Sequence, residues 1–220
     1  MNKLLIIGGS GALGKSVINT FKKSNPLWRV MNLDFKENTQ ADSNYHFKSA
    51  VISQEELTKL SKNDFLQEKV DCIVNVAGGW TDGSFESFDV IEKVNQMMTM
   101  NLYSSVLAVH LTKRYLKKNS LLVLTGAAAV KEGTHSWMIG YQLSKNSVHY
   151  ISDVINQNPN ELPEGGKLIT ILPTTIDTLS NRSAMPDADF SQWVKPEAIA
   201  EKIKKWADEK RYPSDTYYKF

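Results

Sequence analysis

Tyr141 and Lys145, in Tyr141-Gln142-Leu143-Ser144-Lys145, stand one helical turn apart. A helix over this stretch therefore puts a phenol and an ammonium on the same face. A phenol ordinarily holds its proton to a pKa of about 10. A neighbouring ammonium favours the phenolate, which would make Tyr141 a better proton donor near neutral pH. Taken alone, such a pair is a common solvent-facing arrangement. Its meaning depends on the opening of the chain, where Gly9-Ser10-Gly11-Ala12-Leu13-Gly14 fits the dinucleotide-binding spacing G-x-G-x-x-G. This loop follows the aliphatic run Leu4–Ile7 and Gly8, and it opens a helical pattern at about Ala12. Gly9 would permit a tight turn, Gly11 would let the backbone approach a pyrophosphate, and Gly14 would let helix and strand pack closely. Amides at the helix start, in the Ser10–Leu13 region, would then face phosphates, with the helix dipole favouring their charge.

Asp34 ends the next apolar run, about twenty residues beyond the glycine loop, where a carboxylate can hydrogen-bond both ribose hydroxyls of NAD. The same charge would repel a 2′-phosphate, so NADH is expected over NADPH. The nearby Lys36 would soften that preference and leave NADPH usable but weaker. The four histidines are scattered without ligand spacing and Cys72 is the only cysteine, so no metal site and no intrachain disulfide are expected.

The elements that must carry these groups alternate. After a first helix at about Ala12–Lys23, Asn25-Pro26 marks a break, and Trp28–Leu33 reads as strand two. Tyr45–Ile52 suggests a weak third strand, and Ser53 a capped helix start. Cys72–Val76 reads as a central strand, running into Ala77-Gly78-Gly79-Trp80. A long helical stretch covers about Val90–Lys117. Leu121–Thr125 is a fifth strand followed by the small residues Gly126–Ala129, and a helix runs from about Tyr141 to Gln157. Leu168–Leu172, a helix over Pro196–Lys210 and a short strand near Thr216–Phe220 complete the chain. Such alternation implies an α/β fold, a doubly wound parallel sheet with helices on both faces. With 220 residues, one domain over 1–220 accounts for the whole pattern. A net charge of +2, with bases scattered among acids, gives no reason to expect a nucleic acid or membrane partner. No apolar run suits a signal-peptide core or a bilayer span, so a cytoplasmic protein is expected.

The glycine loop, Asp34, Asn75-Val76-Ala77-Gly78, Asn101, Tyr141 with Lys145, and Leu172-Pro173 together resemble the short-chain dehydrogenase/reductase family, in its order and approximate spacing. The resemblance implies a Rossmann sheet of strand order 3-2-1-4-5-6-7. It also implies that Asn75, Ala77, Gly78 and Gly79 form a turn beside the cofactor, and that Asn101 helps hold a proton-relay water. Lys145 would additionally bind the nicotinamide ribose, and Pro173 would border the nicotinamide. Where that family usually carries a catalytic serine, this chain has Ala128; Thr125 and Ser136 are the nearest hydroxyls but do not match the spacing.

A narrower resemblance, to the dihydropteridine reductases within that family, rests on Val76–Trp80, Gly126–Ala129, Met138–Tyr141, Leu172–Thr178 and Asn181–Phe190. It implies NADH-dependent reduction of a quinonoid dihydropteridine to the tetrahydro form, by a homodimer paired through its long helices. An electron-poor ring that regains conjugation on accepting hydride needs less localised oxyanion stabilisation than a ketone, which would account for Ala128. The pterin is expected against Trp80, Ala128, Tyr141 and Thr174. Two other readings fit the same residues: a carbonyl or quinone reductase, and a non-catalytic dinucleotide-binding regulator.

Overall fold

The computed structural model describes residues 1–24 and 28–220; the break expected at Asn25-Pro26 falls outside them. Seven strands, β1 (Lys3–Ile7), β2 (Arg29–Asp34), β3 (Ser43–His46), β4 (Val70–Asn75), β5 (Leu116–Thr125), β6 (Lys167–Leu172) and β7 (Tyr217–Lys219), form one sheet. All pairs are parallel, in the order β3-β2-β1-β4-β5-β6-β7. Consecutive aliphatics make this necessary: alternate side chains of a strand point to opposite faces, so a strand apolar throughout must be covered on both. Around the sheet lie α1 (Ala12–Ser24), α2 (Gln54–Ser61), α3 (Val90–Met97), α4 (Tyr103–Tyr115), α5 (Ala128–Glu132), α6 (Ile139–Gln157), α7 (Leu179–Ala184) and α8 (Pro196–Glu209). Leu4, Ile6, Cys72, Val74, Val123 and Ile169 pack on one face against Val17, Ile18 and Phe21 of α1 and Ile199, Ile203 and Trp206 of α8. Leu5, Ile7, Ile73, Leu122 and Leu124 pack on the other against Leu107 and Leu111 of α4 and Val148 and Ile155 of α6. Among the described residues, no helix is long and apolar enough to cross a membrane.

Several boundaries differ from the sequence reading: β4 is Val70–Asn75 rather than Cys72–Val76, and the short helices α5 and α7 have no counterpart in it. β3 occupies Ser43–His46 rather than Tyr45–Ile52. It is a polar edge strand, with only β2 as neighbour, and carries no apolar run to betray it. The stretch read as one helix over Val90–Lys117 is two, α3 and α4, joined by a π-helical turn at Met98–Leu102. It also ends at Tyr115, because β5 begins at once with Leu116; an irregularity in its pairing between Val70 and Cys72, and Asn119 at φ 53°, separate that start from the regular strand.

The register lines up the ends of the central strands. Ile7 lies beside Leu33 and Asn75, so Gly8, Asp34 and Val76 emerge at one level on the carboxyl edge, where α/β sheets bind ligands. The tight turn expected at Gly9 is made at Gly8, whose φ is +86° and where a Cβ would lie 2.5 Å from the Ala77 nitrogen. Gly14 does what its spacing predicts. A Cβ there would sit 2.1 Å from the Gly8 oxygen and 2.6 Å from the Gly9 Cα. Backbone atoms cannot swing aside as a side chain can, so Gly14→Ala is expected to destabilise the fold by about 1–3 kcal/mol. Chemical denaturation checks this; an unchanged midpoint would mean that α1 can slide off the glycine turn at no cost.

Candidate active site

The glycine turn and α1 form the first wall. The helix has no acidic residue in its first turn, which leaves the positive end of its dipole open to an anion, although of the amides expected to face phosphates that of Gly11 is taken by the Gly8 carbonyl at 3.2 Å. Asp34 closes the turn from the side: its Oδ2 accepts the Ser10 N–H at 2.8 Å and its Oδ1 the Phe35 N–H at 2.6 Å. Each carboxylate oxygen keeps a second lone pair for a further donor. Beneath Asp34 lies an asparagine network invisible in the sequence. Asn32 Nδ2 donates to Ser10 Oγ, the Lys36 carbonyl and Asn44 Oδ1, while Asn38 Nδ2 donates to the Gly9 carbonyl at 2.8 Å. These bonds tie the loop after β2 to the glycine turn.

Between them opens a cleft of about 230 Å³, walled by Gly8, Gly11, Asp34, Phe35, Ala77 and Gly78 together with Phe47, Ala50 and Ile52. The apolar residues that suggested a third strand thus line this cleft. The cradle fits a dinucleotide: glycine backbone and helix amides for phosphates, a carboxylate for ribose hydroxyls, and an apolar slot for a flat base.

The Ala77–Gly79 turn is held from behind. Asn75 Oδ1 accepts the Ala77 N–H at 3.1 Å, and its Nδ2 donates to Ser105 Oγ on α4 at 3.0 Å. Asn101 sits in the π turn, fully buried. Its Oδ1 accepts the Gly79 N–H at 3.0 Å, and its Nδ2 reaches the Gly79 carbonyl at 3.1 Å and Ser144 Oγ at 3.0 Å. Ser144, inside the Tyr-x-x-x-Lys motif, therefore links α6 to the π turn. Sequence reasoning missed it because a serine between motif positions has no signature of its own.

Tyr141 and Lys145 both start from α6, but not as a coupled acid pair. Lys145 is 4% exposed, and its Nζ donates to the Thr125 carbonyl at 2.8 Å. It stands 6.0 Å from the Tyr141 ring centroid. Burial lowers its pKa to about 8 and raises that of Tyr141 to about 12. The expectation that Lys145 would acidify Tyr141 is thus not met in this state: desolvation outweighs a charge at that range. Among the described residues, the Tyr141 hydroxyl makes no hydrogen bond. Of the hydroxyls weighed against the missing serine, Thr125 Oγ1 donates to the Asn75 carbonyl at 2.8 Å, and Ser136 is exposed in a turn. Ala128 is 1% exposed, so its methyl offers no open surface, and its N–H donates to the Pro173 carbonyl at 3.1 Å. Pro173 is buried and Thr174 exposed at the end of β6. Trp80 and Trp137 are 52% and 54% exposed and meet edge to face at 6.0 Å, which takes both out of the core.

The Lys145 value sets a sign. Between pH 8 and 10.5 the folded chain holds fewer protons at this residue than the unfolded chain. Its contribution to stability therefore rises across that window and is lost as pH falls through 8. A ¹³Cε titration of Lys145 in the cofactor-free protein is expected to show a midpoint near 8; an ordinary lysine value would mean that water reaches the ammonium.

A profile of the short chain dehydrogenase family matches residues 2–189. Dihydropteridine reductase of Dictyostelium discoideum is 37% identical over 205 residues, covering 93% of this chain and 87% of that protein. Among solved structures, a short chain dehydrogenase family protein of Francisella tularensis superposes with a TM-score of 0.77 at 20% identity, over 100% of this chain and 97% of its own. A short chain dehydrogenase of Salmonella enterica gives 0.79 at 16% identity, over 99% and 95%. BdcA in complex with NADPH gives 0.77 at 15% identity, over 100% and 92%. These structural likenesses establish the fold, and the sequence matches go further: the chain belongs to the short chain dehydrogenase family of oxidoreductases, which act with a nicotinamide dinucleotide.

Proposed function

We propose that this protein is an NADH-dependent dihydropteridine reductase. The observation that carries the reading is the Tyr141 hydroxyl on α6, without a hydrogen-bond partner among the described residues, one turn before the Lys145 held at the end of β5, together with no hydroxyl at Ala128 and two exposed indoles in contact, Trp80 from the loop after β4 and Trp137 from the loop before α6. A site with one proton donor and flat apolar walls suits a planar, electron-poor ring better than a ketone that needs a localised oxyanion partner. The Dictyostelium relative supports it independently.

The dinucleotide supplies hydride when bound. The glycine turn and the α1 amides hold its phosphates, and Asp34 accepts from the ribose hydroxyls. The charge of Asp34 disfavours a 2′-phosphate, so NADH is the preferred form and NADPH the weaker one. Lys145 donates to the nicotinamide ribose while fixed on the Thr125 carbonyl, and Pro173 borders the nicotinamide. Tyr141 gives its hydroxyl proton to the ring nitrogen that gains electron density, which completes a two-electron, two-proton-equivalent reduction to the tetrahydropteridine. Thr174, exposed beyond β6, faces the same edge of the sheet. We further infer a homodimer through α4 and α6, whose Tyr103, Val106, Leu143 and Tyr150 leave large apolar groups exposed, and a cytoplasmic setting.

The deciding measurement is NADH oxidation with quinonoid dihydropterin, run beside aldehydes and quinones. Pterin turnover is expected; turnover of carbonyl compounds or quinones alone would overturn the assignment. In the same assay, Asp34→Ala should raise the KM for NADH about tenfold and narrow the gap to NADPH, since bonds to a charged acceptor contribute about 1.5–3 kcal/mol. Unchanged affinity and selectivity would remove Asp34 as the ribose ligand.

The proton and the stack are separable. Tyr141→Phe keeps the ring and loses only the hydroxyl, so kcat is expected to fall by about 10²–10⁴ with NADH binding intact. Trp80→Ala should instead raise the pterin KM several-fold and change stability by less than about 0.5 kcal/mol. Undiminished turnover in the first variant would show that solvent supplies the proton. A normal pterin KM in the second would leave Trp80 outside the site.

A further inference from the structure

α6 sends a third side chain to the end of β5. One turn beyond Lys145, His149 is 3% exposed, and its Nε2 accepts the Ala127 N–H at 3.2 Å. Tyr141, Lys145 and His149 follow one another at four-residue intervals, hence along one helix face. Lys145 holds the Thr125 carbonyl at 2.8 Å, and His149 holds the amide two residues further on. The turn between them fits tightly on the ring: a Cβ at Gly126 would lie 2.5 Å from His149 Nε2. From the opposite side, the Pro173 carbonyl takes the next amide, that of Ala128, at 3.1 Å.

Nε2 can accept only if the ring is neutral with its proton on Nδ1, and among the described residues the buried Nδ1 has no partner. Among the described residues, the imidazole's one hydrogen bond is therefore to this turn. Its far face meets Tyr217 of β7 edge to face at 5.7 Å. The Tyr217 hydroxyl bonds to the His149 carbonyl at 2.8 Å and to Asp153 Oδ1 at 2.6 Å, which fixes this turn of the helix and the ring with it. Burial, with Lys131 and Lys145 nearby against the single opposing charge of Asp153, lowers the His149 pKa to about 4, so the accepting form prevails at neutral pH.

We propose that His149 is a positioning residue for the reaction: its neutral imidazole fixes the Gly126–Ala128 turn against the Tyr141–Lys145 pair. In a site whose turn carries no hydroxyl at Ala128, the backbone itself sets the wall facing the substrate, so its placement matters more than its side chains. The inference rests on Tyr141 and Lys145 being the reacting pair, but not on the substrate being a pterin.

Three variants test it. His149→Leu removes the acceptor. His149→Gln puts an amide oxygen at about the reach of Nε2, and His149→Asn keeps the polarity but falls short of that reach. In the free protein, amide exchange at Ala127 is expected to quicken at least about tenfold in the Leu and Asn variants and to return towards wild type in Gln. With whichever acceptor the wild-type enzyme reduces, kcat should fall about tenfold or more in Leu and Asn while the KM for NADH stays within about twofold, and Gln should recover most of kcat. Should Leu fail to fold, Asn against Gln carries the comparison. Wild-type exchange at Ala127 in Asn, or equal loss of kcat in Asn and Gln, would overturn the proposal. If wild type reduces no pterin, the substrate assignment fails, and the exchange rates still decide the role of His149.

Discussion

Everything at the site depends on one constraint: β1 must pair in parallel on both sides, and every strand must therefore end on the same edge. Ile7 is locked between Leu33 and Asn75, so the glycine turn, Asp34 and the Ala77–Gly79 turn are brought together by backbone pairing before any side chain contributes. Parallel neighbours need crossover helices, and those helices supply the second layer of the site. α1 offers its amino end, α4 continues from the turn that carries Asn101, and α6 carries Tyr141, Ser144, Lys145 and His149. The chemistry is distributed over distant parts of the chain because the topology leaves no nearer way to gather it.

Within that frame, burial rather than mutual attraction governs the reacting groups. Lys145 is anchored on a carbonyl, burial outweighs its charge at Tyr141, and each is shifted towards its neutral form. At neutral pH the phenol is uncharged, while Lys145, with its pKa near 8, is still mostly an ammonium but far closer to losing its proton than an exposed lysine. A bound ribose would add acceptors beside Lys145 and raise its pKa back towards the ordinary lysine value, and its secured charge would act on Tyr141 through a medium less polar than water. Proton donation and cofactor binding would be linked by this route, with no moving part.

Much of this was legible in the sequence because it is written in apolar periodicity. The buried strands β1, β4, β5 and β6 announce themselves by aliphatic runs, and Tyr141 and Lys145 by a spacing with a geometric meaning. β3 does not, since an edge strand of Ser43, Asn44, Tyr45 and His46 has no face that must be apolar; the true apolar residues nearby, Phe47, Ala50 and Ile52, serve the cleft. Nor could the composition show that Gly8 rather than Gly9 makes the turn, because adjacent glycines are equivalent until the backbone is placed. Asn32, Asn38, Ser144 and His149 were illegible for a common reason. Each acts through a hydrogen bond to main chain or to another polar side chain far along the sequence, and no periodicity encodes such a partner.

The π turn at Met98–Leu102 has a consequence for how this chain can change over evolutionary time. It holds one residue more than a regular helix would, and each residue of a helix turns the following side chains by about 100°. Deleting one residue there would give a smoother helix with better backbone geometry. It would also either rotate Leu107 and Leu111 away from the sheet or carry Asn101 away from Gly79. An ordinary surface helix drifts freely through small insertions and deletions near its ends, but here the length between Asn101 and the core face of α4 is frozen. The irregularity acts as a spacer, and its length is a trait that selection can hold even where the residues within it vary.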